Sequence, residues 1–172
     1  MTPAELKRPI LTALQTVLRP LDFRKMSSLF QLDRGKVVHL IEVQGSNDNK
    51  ANEAKFTVNV GVFAPELVYP DVRDITKPSI ALAHWRTRLG SLSPENKDLW
   101  WHVASPGEAA TAAADIADRT QRFALPALAQ LADLSALAVL WKSGRSPGLT
   151  EFQRVELLSR LQAHLSRPSS NA

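Results

Sequence analysis

The sequence predicts an α+β fold: one N-terminal helix, an antiparallel sheet of about five strands in meander order, then helices packed on one sheet face. Three observations carry this expectation. Apolar residues recur at helical spacing at the N-terminus, alternate with period two from Ser28 to about Val103, and return to helical spacing after Ser105. Short connections between the central segments favour antiparallel neighbours. Strands grouped ahead of helices mark α+β architecture, and such a sheet leaves its second face at least partly open to water.

The first helix starts at Thr2-Pro3-Ala4-Glu5, with a capping hydroxyl, a proline at the first helical position and a glutamate three residues after the cap. Leu6, Ile10, Leu14, Val17, Leu18 and Leu21 form its apolar stripe. Pro9 lies inside that stripe and lacks a backbone donor, which predicts a kink or a later start. Pro20 ends the helix.

Strands are expected at Leu29–Asp33, Lys36–Gln44, Lys55–Phe63, Ala81–Leu89 and Trp100–Val103. Arg34-Gly35 is a tight-turn signal between the first two. The segments following Gly45 and Ser91 are polar loops rich in turn-forming residues. Ala64–Lys77, which carries Pro65 and Pro70 and runs into Pro78, is a long irregular excursion, a feature found in functional loops and in plain insertions.

Ser105-Pro106-Gly107-Glu108 repeats the capping pattern of the N-terminus. An alanine-rich helix follows with Ile116 and Phe123, its composition suited to close packing on a sheet. Pro126 is expected to start a second helix bearing Leu128 and Leu131, and Ser135 to cap a third with Leu137, Leu140 and Trp141. After a break from Gly144 to Gly148, a last amphipathic helix carries Phe152, Val155, Leu158, Leu161 and Leu165. Residues 1–166 are read as a single domain and 167–172 as a frayed tail.

Composition bounds the function classes. The chain has 172 residues, 44% hydrophobic and 22% charged, which excludes disordered and collagen-like classes and leaves room for a sizeable core. It has no cysteine, which excludes disulfides, thiolate zinc sites, iron–sulfur clusters and a cysteine nucleophile. Twenty-one basic residues against 17 acidic ones give a formal charge of +4, which permits anionic partners without demanding them. Glu5, Lys7, Arg8 and Pro9 interrupt the N-terminal apolar residues, unlike a signal peptide, and no apolar run reaches the ~18 residues of a membrane span. No membrane association is expected, and the cytoplasm is the expected location.

Alternation sorts the strand side chains into two sets. Phe56, Val58, Val60 and Val62 face the core, which leaves Thr57, Asn59 and Gly61 opposite. Trp85 and Leu89 share one face, while His84, Arg86 and Arg88 share the other. With Gln44 and Glu42 on the polar side of the second strand, Gln44, Thr57, Asn59, Arg86 and Arg88 meet on one exposed surface, bordered by Trp100 or His102. The candidate binding residues are therefore Gln44, Asn59, His84, Arg86, Arg88 and Trp100. Arginines two apart on a strand project side by side, about 7 Å apart, and can hold a carboxylate or phosphate. The plainer alternative is a solvated sheet face whose arginines pair with acids such as Glu42. Trp100-Trp101 places one indole in the core and the other at the rim, where it serves as an interface anchor or a roof over the core.

Catalytic signatures are absent: there is no phosphate-binding glycine loop, no dinucleotide fingerprint and no nucleophile elbow. His39, His84, His102 and His164 show no metal-ligand spacing, although His84 and His102 could approach across a hairpin; no metal or other cofactor is expected. Lys7, Arg8, Arg19, Arg24 and Lys25 form one basic cluster and Arg119 with Arg122 another, each interleaved with acids. An open sheet with two arginines and an indole is nevertheless compatible with single-stranded nucleic acid.

Several motifs in order resemble a known family: Leu18-Arg-Pro-Leu-Asp-Phe-Arg-Lys, Phe30, Val43-Gln44-Gly-Ser46, Phe56-Thr-Val-Asn59-Val-Gly61-Val, His84-Trp85-Arg86-Thr-Arg88-Leu89-Gly90 and Trp100-Trp101. Together they are similar to a bacterial family known only as a domain of unknown function, number forty-three-zero-four, over roughly residues 11–131. The family usually has glycine where this chain has Asp22. The resemblance implies a bacterial, cytoplasmic protein without an established activity, and it supplies no catalytic residues. The expected function is a non-catalytic binding module, regulatory or toxin-neutralising, that recognises a protein or small anion through the open sheet face. The alternatives are an enzyme acting on an anionic substrate, with His84 or His102 as acid–base, and a single-stranded nucleic-acid binder.

Overall fold

The computed structural model describes residues 1–68 and 77–166. Most of the excursion expected at Ala64–Lys77, and the tail at 167–172, lie outside the described residues. The first helix, α1 (Pro3–Leu18), opens with a reciprocal cap: Glu5 N–H donates to the Thr2 hydroxyl (3.2 Å) and Thr2 N–H to the Glu5 carboxylate (2.7 Å). Pro9 is carried inside this helix, and the later start is not taken. Leu6, Ile10, Leu14 and Leu18 are buried. Leu21 departs from the expected stripe and is exposed, because a 3₁₀ turn (Arg19–Leu21) built around Pro20 rotates it away. Asp22 then adopts φ +64°, a left-handed conformation that residues other than glycine seldom take.

Strands β1 (Arg24–Met26), β2 (Leu29–Asp33), β3 (Val38–Gly45), β4 (Ala54–Phe63) and β5 (Trp85–Arg88) form an antiparallel meander in chain order. The β2–β3 turn is tied by Arg34 N–H to the Val37 carbonyl (2.9 Å), with Gly35 at φ +86°. β1 was not expected, since its three residues are all exposed and show no apolar alternation. β6 (Trp101–Val103) also pairs with β4, at Ala54–Phe56, while β5 pairs at Asn59–Val62. The last two strands therefore share one edge of β4 and do not neighbour each other. The strand expected at Ala81–Leu89 shrinks to β5: Ile80–Leu82 is a 3₁₀ turn and Leu89–Leu92 a short helix, α2. β4 ends at Phe63, so residues ahead of His84 have no ladder partner.

On one face of the sheet Phe30, Ile41, Val43, Phe56, Val58, Val60 and Val62 pack beneath α1 and α3 (Pro106–Arg119), which also touch each other. Full burial of side chains this size contributes about 1.5–3 kcal/mol each. α3 starts at a Ser105 cap and runs through a π turn (Thr120–Ala124) into α4 (Leu125–Ala129). Pro126 thus starts no new helix. Leu125 N–H reaches back to the Thr120 carbonyl, and this widened turn directly precedes the residue that has no N–H of its own. α5 (Leu134–Lys142) is capped by Asp133, which accepts from Ala136 N–H (2.9 Å), and not by Ser135.

α6 (Glu151–Leu165) buries Leu157 and Leu161 and leaves Val155, Leu165 and Phe152 (77% exposed) outside. The packed face differs from the expected one because α6 rests on α5 and on the Pro65–Leu67 turn. Arg160 donates to the Val68 carbonyl (3.2 Å), and Arg154 to the Trp141 carbonyl (2.5 Å). Among the described residues no single helix is long and apolar enough to cross a membrane.

The second sheet face is only half open. Val38, Leu40, Phe63 and Ala83 form a small cluster there with Leu29, Val68 and Ile80, because the chain after β4 folds back over that end. Gly61 permits the approach: a β-carbon on it would lie 3.0 Å from Ile80 Cδ1 and 3.1 Å from Ala83 Cβ. The other end carries the polar residues.

Candidate functional site

Register decides which polar side chains meet. Gln44 pairs with Thr57, Glu42 with Asn59, Asn59 with Arg88, and Gly61 with Arg86. All of these stand on the second face, and a groove of about 360 Å³ runs among Gln44, Asn59, Ile80, Arg86, Arg88 and Gly148. Thr57 is withdrawn from it, buried with its hydroxyl donating to the Leu99 carbonyl (2.8 Å).

The floor of the groove is an amide network. Asn59, 8% exposed, donates through Nδ2 to Gln44 Oε1 (2.8 Å) and to Glu42 Oε2 (3.3 Å). Gln44 is exposed at the mouth. This network stiffens the floor and takes up the Glu42 carboxylate that the plainer reading assigned to the arginines.

The two arginines differ. Arg88 is half-buried, forms a salt bridge with Asp98, and lies over the Trp100 ring, 5.1 Å from its centroid. Trp100 Nε1 donates to the same Asp98 carboxylate (3.2 Å). The indole thus acts as a stacking wall for Arg88 and does not line the groove itself. Arg86 is exposed and has no acidic partner among the described residues; its Nη1 donates to the Ala81 carbonyl (3.0 Å). Its backbone N–H donates to the Pro147 carbonyl (3.1 Å), which fastens the α5–α6 connection along the free edge of β5.

His84, expected in the same surface, is on that face but 7% exposed and outside the groove. Its ring lies 5.6 Å from that of Phe63, and its Nδ1 accepts from Ala64 N–H (3.0 Å). Burial lowers its pKa to about 4, against the Leu67 carbonyl, which favours the charged ring, so the imidazole is neutral near pH 7. The expected approach of His84 to His102 fails, since His84 bonds beside Val62 and His102 faces Lys55 near the other end of β4.

The second basic cluster is neutralised by acids of the chain itself. Arg119 grips Glu95 through two bonds of 2.9 Å and Asp115 through two more (2.9 and 3.0 Å), while Arg122 pairs with Asp118. The guanidinium holds the Glu95 carboxyl well down, at about 2. Asp115 in turn accepts from Trp101 Nε1 (2.7 Å), tying α3 to β6. Lys7 is half-buried on the Ser28 hydroxyl (2.7 Å).

Three contributors to the groove and its rim were not singled out from the sequence: Asp98, Ile80 and Gly148. Asp98 lay in an unremarkable polar loop and Ile80 two residues after Pro78. Only the Pro147-Gly148 pair carried a signal, as a turn. The profile of a family described as a domain of unknown function (DUF4304) matches residues 14–130. No curated protein and no solved structure matches the chain.

Proposed function

The chain belongs to the DUF4304 family, and from that premise we propose that it is a non-catalytic binding module whose polar groove holds an anionic group. One observation carries this reading: Arg86 presents an exposed guanidinium, without an acidic partner among the described residues, above a floor already rigidified by Asn59 and Gln44. A guanidinium fixed on a strand offers paired N–H donors to a carboxylate or phosphate at little cost in side-chain order. The groove lining contains no imidazole or carboxylate to move a proton; His102 lies elsewhere, and His84 stands in an adjoining pocket with its Nδ1 taken up by Ala64 N–H, which favours binding over catalysis.

The test is titration of the full chain with acetate and with inorganic phosphate at constant ionic strength, followed by backbone NMR. Saturable shifts at Asn59, Arg86 and Arg88, lost in Arg86→Gln, are expected. Equal shifts in wild type and Arg86→Gln, or none at these residues, overturn the reading. Tighter binding to an oligothymidylate, with steep salt dependence, would transfer the groove to nucleic acid.

A further inference from the structure

Arg86 and Gly148 line two cavities at once. On one side is the polar groove; on the other is a pocket of about 180 Å³ walled by Val68, Ala81, Leu82, Ala83, Leu149 and Leu157. We propose that the site takes an amphiphilic carboxylate, with its head on Arg86 in the groove and a short apolar arm in the adjoining pocket. This rests on the anion-binding reading above and narrows it to a ligand class.

The charge count favours a monoanion. Arg88 is neutralised by Asp98, which leaves Arg86 as the groove arginine without an acidic partner among the described residues, while Glu42, tied to Asn59 behind the floor, opposes a dianion. A planar carboxylate matches one guanidinium fork. The pocket matches the arm. Apolar residues make up most of its wall, and two polar atoms there are engaged: His84 Nδ1 accepts from Ala64 N–H, and Gln153 Oε1 accepts from Thr150 N–H (2.9 Å). His84 is neutral near pH 7. The volume sets the arm's length: at about 30 Å³ per water-sized group, 180 Å³ holds about six such groups. That is smaller than a drug-sized site and suits a short alkyl or aryl chain.

Gly148 joins the two compartments. Its φ is +85°, and a β-carbon there would fall 2.1 Å from Arg86 Cγ and 2.9 Å from the Arg86 carbonyl oxygen. The close approach lets one side chain serve as the wall of both cavities, so head and arm are presented side by side with no gap between them.

The experiment titrates the full chain with acetate, butanoate, hexanoate and octanoate, and with hexanol, by the same NMR readout. Affinity is expected to rise about 3- to 4-fold per added methylene up to about six carbons and then level. Hexanol is expected to bind far more weakly than hexanoate. In Ala81→Trp, which closes the pocket at an exposed position, the hexanoate-to-acetate ratio falls toward one. Acetate binding at the groove with no dependence on chain length overturns the amphiphile assignment and leaves the anion reading intact. Hexanol matching hexanoate overturns the head assignment. No shift with any carboxylate removes both. A tetrapeptide ending in leucine, as free acid and as amide, separates the sources of the chemistry: binding of the free acid above hexanoate identifies a chain terminus, and weaker binding a small free acid.

Discussion

Gly148 sits against Arg86 so closely that a β-carbon on it would overlap Arg86 Cγ, and it does so with φ +85°. Both constraints select glycine. Gly148→Ala is expected to destabilise the α5–α6 connection by about 1–3 kcal/mol through backbone strain and to displace the Arg86 side chain. Urea unfolding reads the first effect. Loss of acetate-induced shifts at Arg86 reads the second.

Asp98 restrains Arg88 as an ion partner and also accepts from the Trp100 indole. Asp98→Asn keeps the shape and removes a negative charge beside the groove. Anion affinity is expected to rise about 2- to 5-fold, the effect of one charge several ångströms away in a solvated site. Because the pair is partly exposed, the unfolding free energy is expected to change by less than about 1 kcal/mol.

His84 links stability to pH. Its folded pKa is about 4, held down by burial, while in the unfolded chain it returns to its ordinary 6.5. Between these values the unfolded state binds the extra proton, so stability falls as pH drops from about 6.5 to about 4, by about 3 kcal/mol in all, and is flat above that window. His39, buried against the Leu131 carbonyl, is shifted in the same direction. Urea midpoints between pH 7.5 and 4.5 measure the loss, and His84→Gln is expected to flatten much of it. Glu95, held near 2 in the fold against 4.5 unfolded, loses its contribution as pH falls below about 4.5, so the comparison is confined to pH 4.5 and above.

Asp22 holds a left-handed conformation without being glycine. Asp22→Gly is expected to stabilise the fold by about 0.5–1 kcal/mol, the relief of backbone strain less the added freedom of the unfolded chain. A higher thermal midpoint with unchanged anion binding is the expected result.

Much of the frame was legible because it depends on neighbours in sequence. The Thr2–Glu5 cap, the Ser105 cap and the Arg34-Gly35 turn are local hydrogen-bonding problems with few solutions. The alternation from Phe56 to Val62 assigned the faces of β4, and the same rule placed Arg86 and Arg88 together opposite Trp85. What alternation could not show was depth: on the side expected to be open, His84 is buried where the chain after β4 folds back, Thr57 where it bonds the Leu99 carbonyl, and Asn59 between Glu42 and Gln44.

Period and propensity thus determined the α+β order, the antiparallel meander and which residues share a face, since these follow from backbone geometry repeated over short stretches. Tertiary structure alone decided that β5 and β6 share an edge of β4, that α6 packs through Leu157 and Leu161 while Phe152 stays outside, and that Arg88 is neutralised while Arg86 has no acidic partner among the described residues. Each of these turns on which distant segment arrives beside a side chain. Asp98 and Gly148 stand 10 and 62 residues from the arginines they constrain, a separation over which no local period carries information.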